Sequence, residues 1–181
     1  MNSHNKNPPI AHLNRRVLSD PILFLAFGFG TGLAPRAPGT FGTLPGIALA
    51  ALLGWAAMRW GMSSGGVILV ALLLLLPLGV GLCGAASRRL GVHDHGGIVF
   101  DEMVGVLIPF LILPTTPLNL LWAFLWFRLF DVLKPWPIRW LDHQVSGGFG
   151  IMIDDVLAGF FALIALVFMS YWLPGWVELG F

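Results

Sequence analysis

Four intervals of this chain, residues 37–58, 60–87, 103–127 and 156–177, contain no Asp, Glu, Lys or Arg. About 20 apolar residues cross the hydrocarbon of a bilayer as a helix, and an ionised side chain near its centre costs several kcal/mol. Charge-free intervals of that length restrict the chain to helices packed in lipid, a solvent in which backbone polar groups must be satisfied internally. Composition agrees, since 57% of the 181 residues are hydrophobic and only 10% are charged, unlike a soluble globular protein. The expected fold is an all-α polytopic bundle with five spans, near residues 44–58, 67–86, 98–113, 118–133 and 156–173. Pro114, Thr115, Thr116 and Pro117 divide the third from the fourth, because two prolines in a short polar run end a helix. Residues 21–33 are too short and too rich in glycine for an ordinary crossing and read as a re-entrant or interfacial segment.

Orientation follows from the basic residues. With the N-terminus inside, Lys6, Arg15, Arg16, Arg36, Arg88, Arg89, Lys134 and Arg139 share the cytoplasmic side, and the other side holds only Arg59. The loops at 87–97 and 134–155 are then cytoplasmic, and the Pro114 turn and the C-terminus external. Residues 1–20 read as a polar cytoplasmic tail without a signal-peptide pattern, and residues 21–181 as a single membrane-embedded domain. A net charge of +1 offers no basic face for nucleic acid, which excludes that class of partner. Cys83 is the lone cysteine, so no intramolecular disulfide forms, and it reads as packing. The sequence carries no signal of oligomeric state.

Seven of the nine acidic residues, Asp94, Asp101, Glu102, Asp131, Asp142, Asp154 and Asp155, fall between positions 94 and 155. The third span enters the membrane with Asp101 and Glu102, the fourth leaves it past Asp131, and the fifth enters after Asp154 and Asp155. Five carboxylates at one depth repel one another unless cations are present, and a hard divalent cation such as Mg²⁺ takes oxygen ligands of this type. The competing reading is a set of solvated interface residues, with Asp154 and Asp155 favouring the positive end of a helix dipole. Arg128 and Asp131 are three apart and share a helix face, with Lys134 beyond them before Pro135 and Pro137 end the helix. A guanidinium there suits a phosphate, with Lys134 as a second positive point; a purely structural Arg128–Asp131 pair is the alternative. The glycine-rich segments 28–42 and 147–150 can wrap backbone N–H groups around an anion, or serve only turns and close packing. His93, Asp94 and His95 form a weak candidate for metal ligation or proton donation, equally explained as a hydrophilic loop.

Several segments carry a resemblance. Gly28-Phe-Gly-Thr-Gly-Leu-Ala-Pro35 with Ala37-Pro-Gly-Thr40, Gly91-Val-His-Asp-His-Gly96, Asp101-Glu102 and Arg128-Leu-Phe-Asp131 are four of them. The others are Lys134-Pro-Trp-Pro-Ile-Arg-Trp140, Asp142, Gly147-Gly-Phe-Gly-Ile-Met-Ile-Asp-Asp155 and Ala158-Gly159. Together they resemble the phosphatidylglycerophosphatase A family, lipid phosphatases of the bacterial inner membrane. The resemblance implies an all-helical fold, Mg²⁺ dependence, and hydrolysis of phosphatidylglycerophosphate to phosphatidylglycerol and phosphate.

The expected site joins the two lines of reasoning. Asp101, Glu102, Asp131, Asp154 and Asp155 hold one or two Mg²⁺ ions and form the catalytic set. Arg128, Lys134, Gly39, Thr40 and Gly148 bind the phosphate, and water attacks directly in preference to an aspartyl phosphoenzyme. The chain lacks an Asp-x-Asp nucleophile, a Cys-x5-Arg phosphate loop, a Pro-Ser-Gly-His motif and a Walker A sequence. Two rivals from other classes stay open at this point. A divalent-cation transporter would also carry carboxylates on membrane helices, although here they gather at one face instead of marking a path through the midplane. A non-catalytic assembly subunit would leave the basic residues at the same depth unexplained.

Overall fold

The structure, a computed structural model, describes residues 10–92, 95–173 and 175–178, with the side chains of residues 10–12, 142 and 143 excepted. The described residues form α1 (Ile10–Ser19), α2 (Pro21–Ala26), α3 (Pro38–Arg59), α4 (Ser64–Leu90), α5 (Phe100–Gly105), α6 (Pro117–Leu133), α7 (Ile138–Gln144) and α8 (Gly147–Trp172). Short 3-10 turns at Thr31–Leu33 and Ile108–Leu111 complete the backbone.

Local chemistry fixes the long helices. Ser63 caps α4 by accepting the Gly66 N–H at 3.3 Å, and Gly91, left-handed at φ 71°, ends it because only glycine takes that conformation without cost. Arg88 and Arg89 fill the last turn, where the helix dipole favours cations. At the start of α6 the Thr116 hydroxyl accepts the Asn119 N–H at 3.4 Å, and Pro117 occupies the first turn, where its missing N–H is no loss.

Helices α3, α4 and α8, with 22, 27 and 26 residues, are long and apolar enough to cross a membrane. No more than half of each apolar window is buried within the protein. Leu73 and Leu74 on α4 and Ile164 and Phe168 on α8 all point outward, as lipid-facing side chains do in a bundle whose solvent is hydrocarbon. Among the described residues three helices have this length and apolarity, where the sequence led to an expectation of five spans. Helix α6 has 17 residues, about 26 Å at the α-helical rise, slightly less than the hydrocarbon thickness.

The expected third span, residues 98–113, departs most from a regular helix. It is the six-residue α5, a turn, and then the 3-10 segment. Pro109, which lacks an N–H, lies in that segment and prevents continuation of the helix. The broken segment nevertheless runs alongside α4: the Phe100 ring packs on Gly79 and the Leu111 carbonyl on Gly65, positions about 21 Å apart along the helix axis. Irregular backbone is tolerated in an apolar solvent only when protein encloses it. Residues 97–110 are accordingly all buried except the half-buried Glu102.

Close enclosure requires missing side chains. A Cβ on Gly105 would fall 2.6 Å from the Asp155 carbonyl oxygen, and one on Gly159 would fall 2.4 Å from the Gly105 carbonyl oxygen. Helices α5 and α8 thus touch backbone to backbone. The segment 21–33 does not form a crossing; it is α2, a turn through Gly28 and Gly30 with positive φ, and a 3-10 turn. It is joined to the start of α5 by the Val99 N–H donating to the Ala26 carbonyl at 2.9 Å. Asp20 caps α2 by accepting the Ile22 N–H at 2.9 Å and pairs with Arg89 of α4. Desolvation would raise the Asp20 carboxyl, but the Arg89 hydrogen bond and charge and the backbone donors outweigh it and hold it below its ordinary value. This tether is complete at neutral pH and is lost only as pH falls through that depressed value.

Opposite the start of α5, at the other end of the bundle, the fully buried Asn119 closes a clasp. Its Nδ2 donates to the Glu178 carbonyl at 2.8 Å and the Pro114 carbonyl at 2.9 Å, and its Oδ1 accepts the Glu178 N–H at 3.0 Å. The segment after α8 is thereby held to the turn before α6. Asn119→Leu removes all three bonds made by this buried side chain. It is expected to lower stability by about 2–3 kcal/mol, read as a fall in the thermal unfolding temperature of the purified protein in detergent.

Candidate active site

Four helix ends meet at one level of the bundle, each for a reason legible in its own residues. Helix α3 begins at Pro38-Gly39-Thr40, α5 begins with Asp101 and Glu102 in its first turn, and α6 ends with Arg128, Asp131 and its cap Lys134. Asp154 and Asp155 lie on α8 two turns from its start, and both are buried, as is Asp101.

Arg128 is the hub. One terminal nitrogen donates to Glu102 Oε1 of α5 at 3.3 Å and also bonds Asp131 one turn along its own helix. The three side chains are only 12–15% exposed. Lys134 reaches across to Asp154 of α8 at 2.5 Å. It does so from a left-handed backbone, φ 41° and ψ 62°, which is costly for a residue with a Cβ. The carboxylates of Asp131, Asp101, Asp154 and Glu102 all lie within electrostatic reach of Asp155. All five predicted acids and both predicted cations therefore occupy one polar cluster at the base of an otherwise apolar bundle. With every group ionised, two cations face five carboxylates, an excess of negative charge that an apolar surrounding does not tolerate uncompensated.

Gly39 belongs to the same cluster for a steric reason. A Cβ there would sit 2.0 Å from Glu102 Oε1 and 2.9 Å from Arg128 Nη1, so only glycine lets the start of α3 rest on that ion pair. Among the described residues no side chain caps this helix end. Its first N–H, that of Gly39, and the positive end of its dipole mark a position suited to an anion, whereas the Thr40 N–H donates to the Ala37 carbonyl at 3.0 Å. Thr40 is half-buried one residue further on. Gly148 lies elsewhere in this arrangement: a Cβ there would fall 1.9 Å from the Val80 carbonyl oxygen, so it serves the close packing of α8 on α4. The first half of the glycine-rich segment is likewise given to turns and packing, with Gly32 against the Gly97 carbonyl. His95 accepts the Gly97 N–H at Nδ1, 3.1 Å, and its ring packs on Phe27. His93 and Asp94 lie outside the described residues, as does the side chain of Asp142.

The donor chemistry suits a hard cation. Glu102 Oε2 and Asp155 Oδ1 are buried and accept no hydrogen bond among the described residues, and Arg128 Nε donates none. Buried oxygens of this kind call for a cation or a donor. As the side chains stand, no three acidic, histidine or cysteine groups among the described residues converge closely enough to cage a metal ion. The ion pairs to Arg128 and Lys134 hold several of the oxygens instead. The cross-helix partners, Glu102 for Arg128 and Asp154 for Lys134, carry no sequence signal, because they depend on how three separate helices are rotated against one another.

Comparison with known proteins decides the kinship of this constellation. The phosphatidylglycerophosphatase A profile matches residues 24–170. The chain belongs to the phosphatidylglycerophosphatase A family. It is similar to the phosphatidylglycerophosphatase A of Haemophilus influenzae, 43% identical over 171 residues that cover 93% of this chain and 98% of the relative. The Escherichia coli phosphatidylglycerophosphatase A is 41% identical over 162 residues, 89% of this chain and 90% of that one. A Bacteroides thetaiotaomicron protein named as a candidate phosphatidylinositol-3-phosphatase is 37% identical over 164 residues, 86% of this chain and 96% of its own length. No solved structure matches the chain. The family match spans α3 to the body of α8 and so takes in every residue of the polar cluster.

Gly39→Ala tests whether the cluster is the working part of the protein. The added methyl displaces the flexible ends of Glu102 and Arg128 but no backbone, so unfolding temperature is expected to stay within a few degrees of wild type. Turnover is expected to fall by about 10²-fold, the usual cost of misplacing a site by about 1 Å. Steady-state kinetics alongside a thermal melt would check both, and an Ala variant with wild-type kinetics would separate the Glu102–Arg128 pair from the chemistry.

Proposed function

We propose that the chain hydrolyses phosphatidylglycerophosphate to phosphatidylglycerol and inorganic phosphate at a membrane surface. The observation that carries this reading is family membership across the whole polar cluster, with relatives of that named activity 41–43% identical over about nine-tenths of the chain. The cluster suits the substrate chemically. A phosphomonoester on a lipid head group is a dianion held at the edge of the leaflet, and Arg128 and Lys134 are two cations at the charged end of an apolar bundle.

In this reading Arg128 grips the phosphoryl oxygens with its planar fork, and Lys134 adds a second positive point. The Gly39 N–H and the Thr40 hydroxyl at the start of α3 orient the same anion. To do so the two cations exchange carboxylate partners for phosphate. The released acids Glu102, Asp131 and Asp154, together with Asp101 and Asp155, are the residues that would hold Mg²⁺. A bound Mg²⁺ supplies neutralisation of phosphoryl charge and a lowered pKa for water. Water is the nucleophile, and a carboxylate of the cluster accepts its proton as the new P–O bond forms and the P–O bond to the glycerol breaks. The departing glycerol oxygen takes up a proton, leaving phosphatidylglycerol. Buried carboxylates lacking hydrogen bonds, Glu102 Oε2 and Asp155 Oδ1, support both the metal-binding role and the base.

The fuller topology is part of the proposal. Five crossings are supported by the apolar α6, whose 17 residues come close to the hydrocarbon thickness, and by the way residues 100–111 follow α4 from Gly79 to Gly65. A cytoplasmic N-terminus and active site, in a bacterial inner membrane, are supported by eight basic residues on that side against Arg59 on the other. Residues 21–181 then act as one catalytic domain.

The test is phosphate release from phosphatidylglycerophosphate by the purified protein in detergent. Release is expected with Mg²⁺, to cease with EDTA, and to be abolished by Asp101→Asn or Asp131→Asn in protein that keeps its unfolding temperature. Full activity in both variants would remove the carboxylate cluster from the mechanism. No release from folded wild-type protein under any condition would remove the assignment, and an ion-uptake assay in vesicles would then examine the transporter reading.

A further inference from the structure

An apolar cavity of about 330 Å³ opens between α3 and α4, separate from the polar cluster but sharing a wall with it. Pro45, Ala48 and Leu52 of α3, Leu75 of α4, and Phe100 and Met103 of α5 line it. Ala48 and Leu52 are exposed on a helix whose outer surface faces lipid, so the mouth opens sideways into the bilayer. Its floor is made by α5: Phe100 and Met103 flank Asp101 and Glu102 in sequence and are themselves buried. From Gly39, where α3 meets the Glu102–Arg128 pair, the nearest wall residue Pro45 lies about 9 Å deeper along α3, and Leu52 about 20 Å deeper. Phe29 stands at the rim as an exposed aromatic.

We propose that this groove seats one acyl chain of the lipid whose phosphomonoester is held at Arg128 and Lys134. The inference rests on the phosphatase reading above. Its occupant follows from place and chemistry. An apolar groove open to hydrocarbon is filled by an acyl chain, and one whose floor is the helix bearing Asp101 and Glu102 seats a chain of the lipid under attack. A head group spans the interval between Gly39 and Pro45, leaving the glycerol backbone at the rim and the chain lying from Pro45 toward Leu52. The bilayer is as apolar as the groove, so transfer of the chain supplies little affinity. What the groove contributes is orientation: a chain fixed along α3 holds the phosphomonoester in register with the cluster, and a lipid enters laterally without leaving its leaflet.

The experiment compares kcat/KM in mixed micelles with Mg²⁺ across a phosphatidylglycerophosphate series running from dibutyryl through dioctanoyl and dipalmitoyl to diarachidoyl. Wild-type protein is expected to favour the long-chain substrates. Ala48→Phe, which fills the groove, is expected to reduce that preference about tenfold or more, while Ile164→Phe on the outer face of α8 leaves it unchanged. Leu52→Ala, which removes bulk from the deep end, is expected to move the preferred chain length upward, and it answers the question should Ala48→Phe fail to fold. Wild-type chain-length profiles in both groove variants would overturn the groove assignment while leaving the phosphatase intact. Hydrolysis of no member of the series by folded wild-type protein would instead overturn the phosphatase reading, and the groove assignment with it.

Discussion

The contact on which this structure turns is the one between the backbones of α5 and α8. Gly105 and Gly159 let two helices approach until carbonyl oxygens lie where side chains would otherwise begin. In lipid there is little hydrophobic force to drive helices together, so close van der Waals approach through small residues supplies the association. That approach also permits a short, broken segment to occupy the middle of the bundle. Its irregular backbone is shielded by α3, α4 and α8, and its first turn presents Asp101 and Glu102 to α6 and α8. A regular helix over residues 98–113 would have had no need of such an enclosure.

Electrostatics then sets the distribution of polarity along the bundle. The long helices face outward with leucine, isoleucine and phenylalanine, and nearly all of the charge in the helical core is gathered at one level around Arg128. Gathering charge in this way is expensive unless it is paired. The protein pairs it twice, α5 and α6 through Glu102 and Arg128, and α6 and α8 through Lys134 and Asp154. These pairs hold three helix ends in register, and they are also the groups a phosphate dianion can take over. In the proposed function, structural cohesion and ligand recognition use the same side chains.

Much of this could be read from the chain itself. The charge-free intervals are where α3, α4, α6 and α8 lie, and the Pro114-Thr115-Thr116-Pro117 break is where α6 begins. The spacing of Arg128 and Asp131 indicated a shared face, and the two do pair. The broken helix was less legible because residues 103–113 are apolar throughout, which masks the interruption. Pro109 was the available signal. The cross-helix pairs and the clasp at Asn119 had no signal at all, since neither period nor composition reports which way a helix is turned. Glycine was legible as a residue type but not as a purpose: Gly39 rests on an ion pair and Gly148 on the backbone of α4, and the two look alike in one dimension.

The cap of α6 shows what such a site extracts from the fold around it. At Lys134 the chain bends through a left-handed conformation that glycine would accept at no steric cost, and a glycine cap is among the simplest ways to make a helical protein sturdier. An ammonium group stands there instead, facing Asp154. Relief of backbone strain and retention of the cluster therefore ask for different residues at this one turn. A consensus-style or computational stabilisation that scored only backbone strain would exchange the lysine for glycine, relaxing the turn while taking from the buried Asp154 the cation that faces it.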